Sequence, residues 1–459
     1  MPSALRRELT VVSATALVVS NMIGTGIFTT TGFLAADLGH VSLVLGVWVL
    51  GGIVAMAGCL VYAEMGVNFP RSGGEYVYLR EAWGPGWGFL SGWVSFFAGF
   101  SAPIAAGALA FSAYLSFFFP SLAPAFANRR VSAGFEWLHL GNGQLLAVGV
   151  ITVFALVNIL GLKLAANLQN LLTLLKLAVL VGFLALAFSV GEGHWHHFAE
   201  TTTRASPHNL ALQFAVSLTF VMFAYSGWNA ATYVAEEIQS PQRTLPLVMV
   251  TGTLVVAVLY VLCNVVFIYA LPLNRLKGVL PVGSAAAKAL FQGRGGAMFS
   301  GMMAAALLSC ISAMVIVGPR VYYAMAQDGC FFSSAARVHP RWRTPVAAIL
   351  FQTIASAVMI VTGTFEALIY YIGFMLVLFA AVATAGIFHL RKRPEWRKLR
   401  AVDYWYPLVP GVFLLASAAM LVSTIQLRPK ESFLGIVTVV CGAMFYWWRF
   451  RKGGNLGKG

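Results

Sequence analysis

Long runs of apolar residues, separated by short polar stretches, recur along almost the whole sequence. A segment of about 20 apolar residues is long enough to cross the hydrocarbon core of a membrane as a helix. By this criterion the sequence predicts an all-α polytopic membrane protein with about twelve transmembrane helices. The predicted spans are residues 11–36, 42–68, 84–119, 144–162, 167–190, 209–236, 245–271, 295–325, 345–362, 365–390, 406–425 and 432–450.

The first predicted span contains an interruption at residues 21–28, which read Asn-Met-Ile-Gly-Thr-Gly-Ile-Phe. Gly24 and Gly26 flank Thr25 in the middle of the span, so the helix can open there and leave backbone groups without intrahelical partners. Free backbone groups at that depth persist only where they are buried in protein or line a watery cavity. This favours a binding site, although small residues in membrane helices also serve close helix packing.

The sixth predicted span contains a second interruption, at residues 223–230, which read Phe-Ala-Tyr-Ser-Gly-Trp-Asn-Ala. Gly227 follows Ser226 and precedes the bulky pair Trp228 and Asn229. The two interruptions stand at corresponding places, each at the start of a group of about five spans. Paired interrupted segments of this kind are the best indication in a sequence of the central site of a secondary transporter.

Composition and charge agree with a membrane protein. The chain is 59% hydrophobic and only 10% charged, whereas soluble proteins carry about 25% charged residues. The net charge is +15, but roughly two thirds of the Lys and Arg residues fall in the loops on the side of the N-terminus. The positive-inside rule therefore places both termini in the cytoplasm of a multi-pass protein in the cell (inner) membrane. No nucleic-acid partner is expected.

Lys176 is a charge inside the fifth predicted span. An ionisable residue at such a position is by default a hypothesis for a functional site. The alternative is that the side chain extends to the inner membrane interface. The sequence alone leaves both interpretations open.

Two polar stretches admit more than one interpretation. Residues 69–78 contain two opposite charges, two glycines and two tyrosines; they form either a compact element that helps to close an inner gate or, more simply from composition, an ordinary surface loop. His194, His196 and His197 could bind a transition metal. With no Cys or paired acid nearby, a mobile outer loop is the simpler interpretation. The five cysteines lack CxxC spacing, and we expect no metal or cofactor.

Four ordered motifs resemble the amino acid/polyamine/organocation (APC) superfamily, and most closely its L-type amino acid transporter family, to which a bacterial amino acid permease would belong. The motifs are residues 23–28, residues 62–64 with 72–76, residues 223–229 with 236–241, and residues 320–329. The resemblance implies a LeuT-like fold of two inverted five-helix repeats plus two helices. Its predicted parts are a cytoplasmic N-terminus (residues 1–10), two repeats (11–207 and 208–390), and a last pair of helices with a basic tail (391–459).

The resemblance also implies roles for residues at the interruptions. The substrate carboxylate would meet the backbone N–H groups of Thr25 and Gly26, at the N-terminal end of a half-helix, where the helix dipole favours an anion. The substrate ammonium would meet backbone carbonyls. Phe223 matches the gating aromatic residue of the family. The predicted substrate-binding residues are Met22, Ile23, Gly24, Thr25, Gly26, Phe223, Ser226, Gly227 and Asn229, with the carbonyls of Met22, Phe223 and Ser226 facing the ammonium.

Further comparison with the family refines the prediction. Lys176 matches a lysine that takes the place of a sodium ion, which implies sodium independence; a buried lysine could instead release a proton. Ser226 stands where members that carry large neutral amino acids have Gly. Residues 120–143 lack the cysteine that joins animal members to a heavy chain, so no disulfide-linked heavy chain is expected. The two interruptions show no acidic residue, which argues against cationic substrates.

These observations predict a sodium-independent secondary transporter of small to medium neutral amino acids, an exchanger or facilitator working by alternating access. The alternative is a proton-coupled amino acid or polyamine symporter that uses Lys176. The sequence contains no HExxH, GxSxG or paired intramembrane carboxylates, so an enzyme is not expected. Two broken helices also fit an occludable site better than a channel. The protein would act as a monomer or homodimer.

Overall fold

The computed structural model describes residues 7–122, 141–279, 282–292, 295–362 and 365–449. Within these ranges the chain forms twenty α-helices and no β-strand, and two isolated β-bridges join Leu9 to Ile238 and His40 to Thr201. The all-α prediction is confirmed. Residues 123–140, which belong to the stretch 120–143 noted above for its lack of cysteine, and the terminal residues 1–6 and 450–459 lie outside the described residues.

The helices follow one another along the chain, and the longest connections between described helices include those from α8 to α9 and from α14 to α15. The first eight are α1 (Val11–Met22), α2 (Gly26–Leu38), α3 (Val41–Asn68), α4 (Glu75–Trp83), α5 (Pro85–Val94), α6 (Ala102–Leu115), α7 (Asn142–Ile159) and α8 (Leu162–Ser189). The next nine are α9 (Leu210–Tyr225), α10 (Ala230–Tyr233), α11 (Pro241–Ala270), α12 (Leu273–Leu276), α13 (Val282–Leu290), α14 (Gly295–Gln327), α15 (Val346–Thr362), α16 (Phe365–Ala385) and α17 (Ile387–Leu390). The last three are α18 (Arg400–Tyr404), α19 (Leu408–Leu427) and α20 (Pro429–Arg449). A π-helical segment, Ser95–Ser101, joins α5 to α6, and 3-10 turns include Trp195–Ala199 and Ala235–Glu237.

Ten helical stretches of the described chain are long and apolar enough to cross a membrane. Two shorter apolar helices, Leu210–Tyr225 and Val346–Thr362, stand where the sixth and ninth spans are predicted. The prediction of a polytopic membrane protein is confirmed, and the count of twelve stays a prediction. The seventh span begins at Pro241 instead of residue 245, because proline is well suited to the first turn of a helix.

Both predicted helix breaks are present. The first span opens between Met22 and Gly26, and the second opens after Tyr225. Gly227 has a φ of 102°, and a Cβ there would lie 2.8 Å from the backbone carbon of Asn21. A Cβ on Gly26 would lie 2.7 Å from the Cα of Ala224. The two breaks therefore pack backbone against backbone, so the glycines serve close packing as well as helix opening.

The interpretation of residues 69–78 as an ordinary surface loop is wrong. Glu75 begins α4, and Glu75, Tyr76 and Tyr78 are buried. The Tyr76 hydroxyl donates to Asp328 over 2.8 Å, and the Arg71 guanidinium donates to the same carboxylate over 2.7 Å. Aromatic rings and paired charges thus fix this stretch against the end of α14. It is the compact element that the sequence offered as the alternative.

A buried ion pair and a backbone pairing lie at the same end of the molecule. Arg320 and Glu237 are both no more than 1% exposed, and their side chains join over 2.9 Å and 3.1 Å. The Leu9 N–H donates to the Glu237 carbonyl over 2.9 Å, and the Gln239 N–H donates to the Leu9 carbonyl over 3.0 Å. The segment after the second break is therefore held on two sides, by α14 and by the beginning of the chain.

Candidate functional site

A cavity of about 120 Å³ lies between the two helix breaks. Of the nine predicted substrate-binding residues, all but Ile23 line its wall: Met22, Gly24, Thr25, Gly26, Phe223, Ser226, Gly227 and Asn229. Ile23 is fully buried away from the cavity. The structure therefore brings together residues about 200 positions apart in the sequence, as the paired breaks predict. That they bind a substrate stays a prediction.

The start of α2 presents backbone donors to this cavity. Gly26 is the first residue of the helix, and the Thr25 side chain does not cap it. Among the hydrogen bonds of the described residues, none uses the N–H of Thr25 or Gly26. Unpaired N–H groups at a helix N-terminus favour an anion through direct hydrogen bonds and the helix dipole. This part of the cavity wall is suited to a carboxylate.

Backbone carbonyls of the two breaks are bridged by a tyrosine that the sequence analysis missed. The Tyr260 hydroxyl, on α11, lies 2.5 Å from the Met22 carbonyl oxygen and 2.9 Å from the Ala224 carbonyl oxygen. The Phe223 carbonyl accepts from the Ser226 N–H over 3.1 Å. Each carbonyl oxygen has two lone pairs, so these carbonyls keep acceptor capacity. Tyr260 is one of several hydroxyl-bearing residues of α11, and no motif around it marks it.

Lys176 reaches the first break instead of the membrane interface. Its side chain is 2% exposed, and its Nζ donates to the Ile23 carbonyl over 2.7 Å and to the Ser20 carbonyl over 3.2 Å. The interpretation that Lys176 extends to the interface is therefore wrong, because α8 packs against α1 and the unwound carbonyls accept the ammonium. Lys176 therefore contacts the backbone of the first break but does not line the central cavity.

Glu75 also lines the cavity, so a carboxylate stands beside the breaks although neither interruption itself contains an acidic residue. Its Oε1 accepts from the Tyr62 hydroxyl over 2.8 Å and from Asn229 Nδ2 over 3.0 Å. Glu75 belongs to α4, which lies between two spans in the sequence. Burial raises the pKa of Glu75 to about 7, against the opposing effect of these two hydrogen bonds.

The position of Glu75 depends on a turn that the sequence does contain. Gly73 and Gly74 precede it with φ values of 122° and 53°, which few other residues adopt. The Gly73 N–H donates to the Tyr233 carbonyl over 3.1 Å, which docks the turn on α10. The Gly-Gly pair could have indicated a tight turn. Nothing local indicates that this turn meets Asn229, 154 residues away.

The three clustered histidines lie outside the cavity. His196 has a carboxylate partner, because its Nε2 is 3.7 Å from Oε1 of Glu200. The prediction that this segment lacks a paired acid is therefore wrong. The acid stands four residues along the chain, directly after the 3-10 turn Trp195–Ala199.

Comparison with known proteins shows similarity along nearly the whole chain. The model of the amino acid permease family matches residues 9–447. The serine/threonine exchanger SteT of Bacillus subtilis (strain 168) is 31% identical over 453 residues, 97% of each chain. The large neutral amino acids transporter small subunit 2 of Homo sapiens is 30% identical over 96% of this chain and 80% of its own. The Asc-type amino acid transporter 1 of Mus musculus is 30% identical over 96% and 81%.

Proposed function

The chain belongs to the amino acid permease family and is a membrane transporter of amino acids rather than an enzyme, and we propose that it exchanges small neutral amino acids independently of sodium. The observation that carries this proposal is the cavity shared by the two breaks, with the free N–H groups of Thr25 and Gly26 at its wall. The whole-chain similarity to a serine/threonine exchanger agrees with it.

Backbone groups of the residues that line the cavity complement the two charges of an amino acid. The N–H groups of Thr25 and Gly26 would hold the carboxylate at the positive end of α2. The carbonyl oxygens of Met22, Phe223 and Ser226 would accept from the ammonium. Every amino acid carries a carboxylate and an ammonium, so these contacts select amino acids as the substrate class. The space left in the cavity then determines which side chains fit.

The size of the cavity favours a small side chain. Its volume of about 120 Å³ is well below the 300–1,000 Å³ that is typical of pockets for drug-sized ligands. Ser226 lines the cavity, and its hydroxyl would form a hydrogen bond with the side chain of a polar substrate. Serine, threonine and alanine are therefore the proposed substrates, and aromatic amino acids are excluded by space.

Sodium independence is supported by the position of Lys176. Its ammonium bonds the Ile23 and Ser20 carbonyls at the first break. Unwound carbonyls of this kind coordinate sodium in sodium-coupled transporters. A fixed positive charge at that point repels a second cation, so transport would proceed without sodium.

The proposed architecture is two inverted repeats, residues 11–207 and 208–390, followed by two further helices. Its support is that each repeat begins with a broken span and that the two breaks pack together. Phe223 is the proposed gate over the cavity. We also propose that both termini are cytoplasmic, that the protein resides in the cell membrane, and that it works without a disulfide-linked heavy chain.

Uptake of radiolabelled L-serine into proteoliposomes tests the function. Vesicles preloaded with unlabelled L-serine are compared with empty vesicles, with and without an inward proton gradient, and with sodium replaced by potassium. We expect uptake to depend on the preload and to ignore the proton gradient and sodium. Unlabelled threonine and alanine should compete for uptake, whereas phenylalanine and arginine should not.

Two results would contradict the proposal. Uptake into empty vesicles that follows the proton gradient would make the protein a proton symporter. Competition by phenylalanine as strong as that by alanine would contradict the proposed pocket size while leaving the exchange mechanism in place.

A further inference from the structure

The segment between α8 and α9 gathers four side chains with metal-binding chemistry. Its 3-10 turn, Trp195–Ala199, places a ligand atom from each of His196, His197 and Glu200 within 4.8 Å of the others. The imidazole centre of His194 lies 5.2 Å from that of His196 and 5.6 Å from that of His197. Two nitrogen donors and one carboxylate oxygen thus lie close together, and the imidazole of a third histidine lies beside them.

The separations of the imidazole centres, 4.5–5.6 Å, are close to those around a tetrahedral ion. With metal–nitrogen bonds of 2.0–2.1 Å, two ligand atoms lie about 3.4 Å apart and two imidazole centres about 5 Å apart. The separation of His196 Nε2 and Glu200 Oε1 is 3.7 Å. The side chains of His196 and Glu200 are 67% and 38% exposed, so both face solvent and have room to turn toward an ion.

His197 is held in the form that a metal requires. It is 6% exposed, and its Nδ1 lies 3.1 Å from the carbonyl oxygens of Ile268 and Tyr269. A carbonyl oxygen only accepts hydrogen bonds, so Nδ1 carries a proton, and Nε2 is the ring nitrogen that is left to bind a metal. Metal-binding histidines typically donate their other N–H to a backbone carbonyl or carboxylate in this way.

We propose that His194, His196, His197 and Glu200 form a binding site for a divalent transition metal ion of the zinc class. Imidazole and carboxylate ligands in a four-coordinate arrangement suit Zn²⁺, and also Co²⁺ and Ni²⁺. Mg²⁺ and Ca²⁺ prefer six or more oxygen ligands, so the site discriminates against them. The site is separate from the central cavity and its existence does not depend on the proposed substrate.

The site would join two parts of the transporter. His197 rests on the last residues of α11, and the His194 N–H donates to the Tyr269 carbonyl over 2.8 Å. Trp195 packs on Tyr269, with ring centres 4.8 Å apart. Because α11 also carries Tyr260, which bridges the two breaks, a bound ion restrains an element that contacts the substrate site. We expect exchange to slow when the ion binds.

Binding is tested on the purified full-length protein carrying no histidine tag. Co²⁺ is titrated while its visible absorption bands are recorded, because tetrahedral coordination gives intense bands, and Zn²⁺ is titrated by calorimetry. We expect one ion per chain for each metal, displacement of Co²⁺ by Zn²⁺, and no heat with Mg²⁺. Zn²⁺ should also raise the Tm, since it binds the folded protein.

The decisive variant is His196→Gln, because this side chain is 67% exposed and its ring contacts other histidines of the cluster. It should weaken Zn²⁺ binding at least tenfold with an unchanged Tm in metal-free buffer. His208→Gln, an exposed histidine of the same loop outside the cluster, is the matched control and should bind as the wild type does. No saturable binding by the wild type, or equal binding by His196→Gln, would overturn the proposal.

Transport measurements then test the consequence separately. In proteoliposomes, Zn²⁺ should slow serine exchange by the wild type and by His208→Gln, and leave His196→Gln unaffected. Binding that is lost in His196→Gln while exchange is unchanged in all three proteins supports the metal site and contradicts its control of transport.

Discussion

The side chain of Asn229 donates a hydrogen bond of 3.0 Å to the carboxylate of Glu75, which joins the second helix break to the short helix α4. Both residues line the central cavity. The cavity therefore contains a carboxylate whose charge faces the same space as the proposed substrate. Glu75 is thus a titratable group of the cavity whose place there the sequence does not indicate.

Glu75→Gln should remove a pH dependence near neutrality. The pKa of Glu75 is raised to about 7, so the wild-type side chain is neutral below that pH and resembles glutamine. Serine exchange by the wild type and the variant should agree at low pH and diverge as the pH rises through about 7. Exchange rates at equal pH on both sides of the vesicle measure this without a proton gradient.

The same change should stabilise the protein at high pH. A raised carboxyl pKa means that the folded protein binds the proton more tightly than the unfolded chain, so wild-type stability falls as the pH rises from 4.5 toward 7. Glu75→Gln should show a shallower fall in Tm over that range. Glu81→Gln, a partly exposed glutamate of the same helix, is the control for both measurements, and an identical pH profile for all three proteins would contradict the assignment.

Thr25→Pro should weaken substrate binding by removing one backbone donor. Thr25 has a φ of −65°, the value that proline imposes, so the ring fits the backbone while the N–H is lost. A hydrogen bond to a charged group contributes about 1.5–3 kcal/mol, which corresponds to a rise in KM of about ten- to a hundredfold. Thr25→Ala keeps the N–H and should retain a KM close to that of the wild type. Equal KM values for both variants, in folded protein, would remove the carboxylate assignment.

Lys176→Ala should abolish most of the exchange activity. The change leaves the Ile23 and Ser20 carbonyls, which accept from its ammonium, without that donor, and an unsatisfied buried acceptor costs about 1–3 kcal/mol. We expect at least a tenfold lower exchange rate. Lys163→Ala, at the exposed start of the same helix, should behave as the wild type. Full exchange activity in Lys176→Ala would mean that the first break does not need this cation.

Glu237→Gln should strongly destabilise the protein. It leaves the buried Arg320 guanidinium without a counter-charge, and breaking a buried ion pair on one side costs about 3–5 kcal/mol. The double change Arg320→Met with Glu237→Leu should recover part of this loss, because it removes both buried charges. Tm values of the single and double variants measure the effect. A single variant as stable as the wild type would show that water reaches the pair.

The sequence predicts the broken helices well because each break depends on adjacent residues. Glycines within an apolar run mark the opening of the helix at both places, and the structure opens there. The local pattern also places Lys176 inside a span. Its contacts, however, depend on how α8 lies against α1, about 150 residues away in the chain, so both interpretations of this lysine remained open.

Glu75 and Tyr260 were missed for a related reason. Glu75 belongs to a polar stretch whose composition resembles a surface loop, and its burial depends on the docking of the Gly73–Gly74 turn against Tyr233. Tyr260 is one hydroxyl in an apolar helix. The residues next to Glu75 and Tyr260 in the sequence do not indicate which groups these two side chains contact. Both reach the breaks only because the helices pack together.

Leu9 forms backbone hydrogen bonds with Glu237 and Gln239. The position of the first described residues should therefore change with the conformation of the transporter. If the proposed cytoplasmic end opens during the cycle, the two backbone hydrogen bonds at Leu9 must part, and residue 7, which is exposed, would move with them. A spin label at position 7 would then show two distance populations to a label on α14. Since Cys441 is exposed and the other four cysteines are buried, replacing that one residue would make the chain suitable for such labelling.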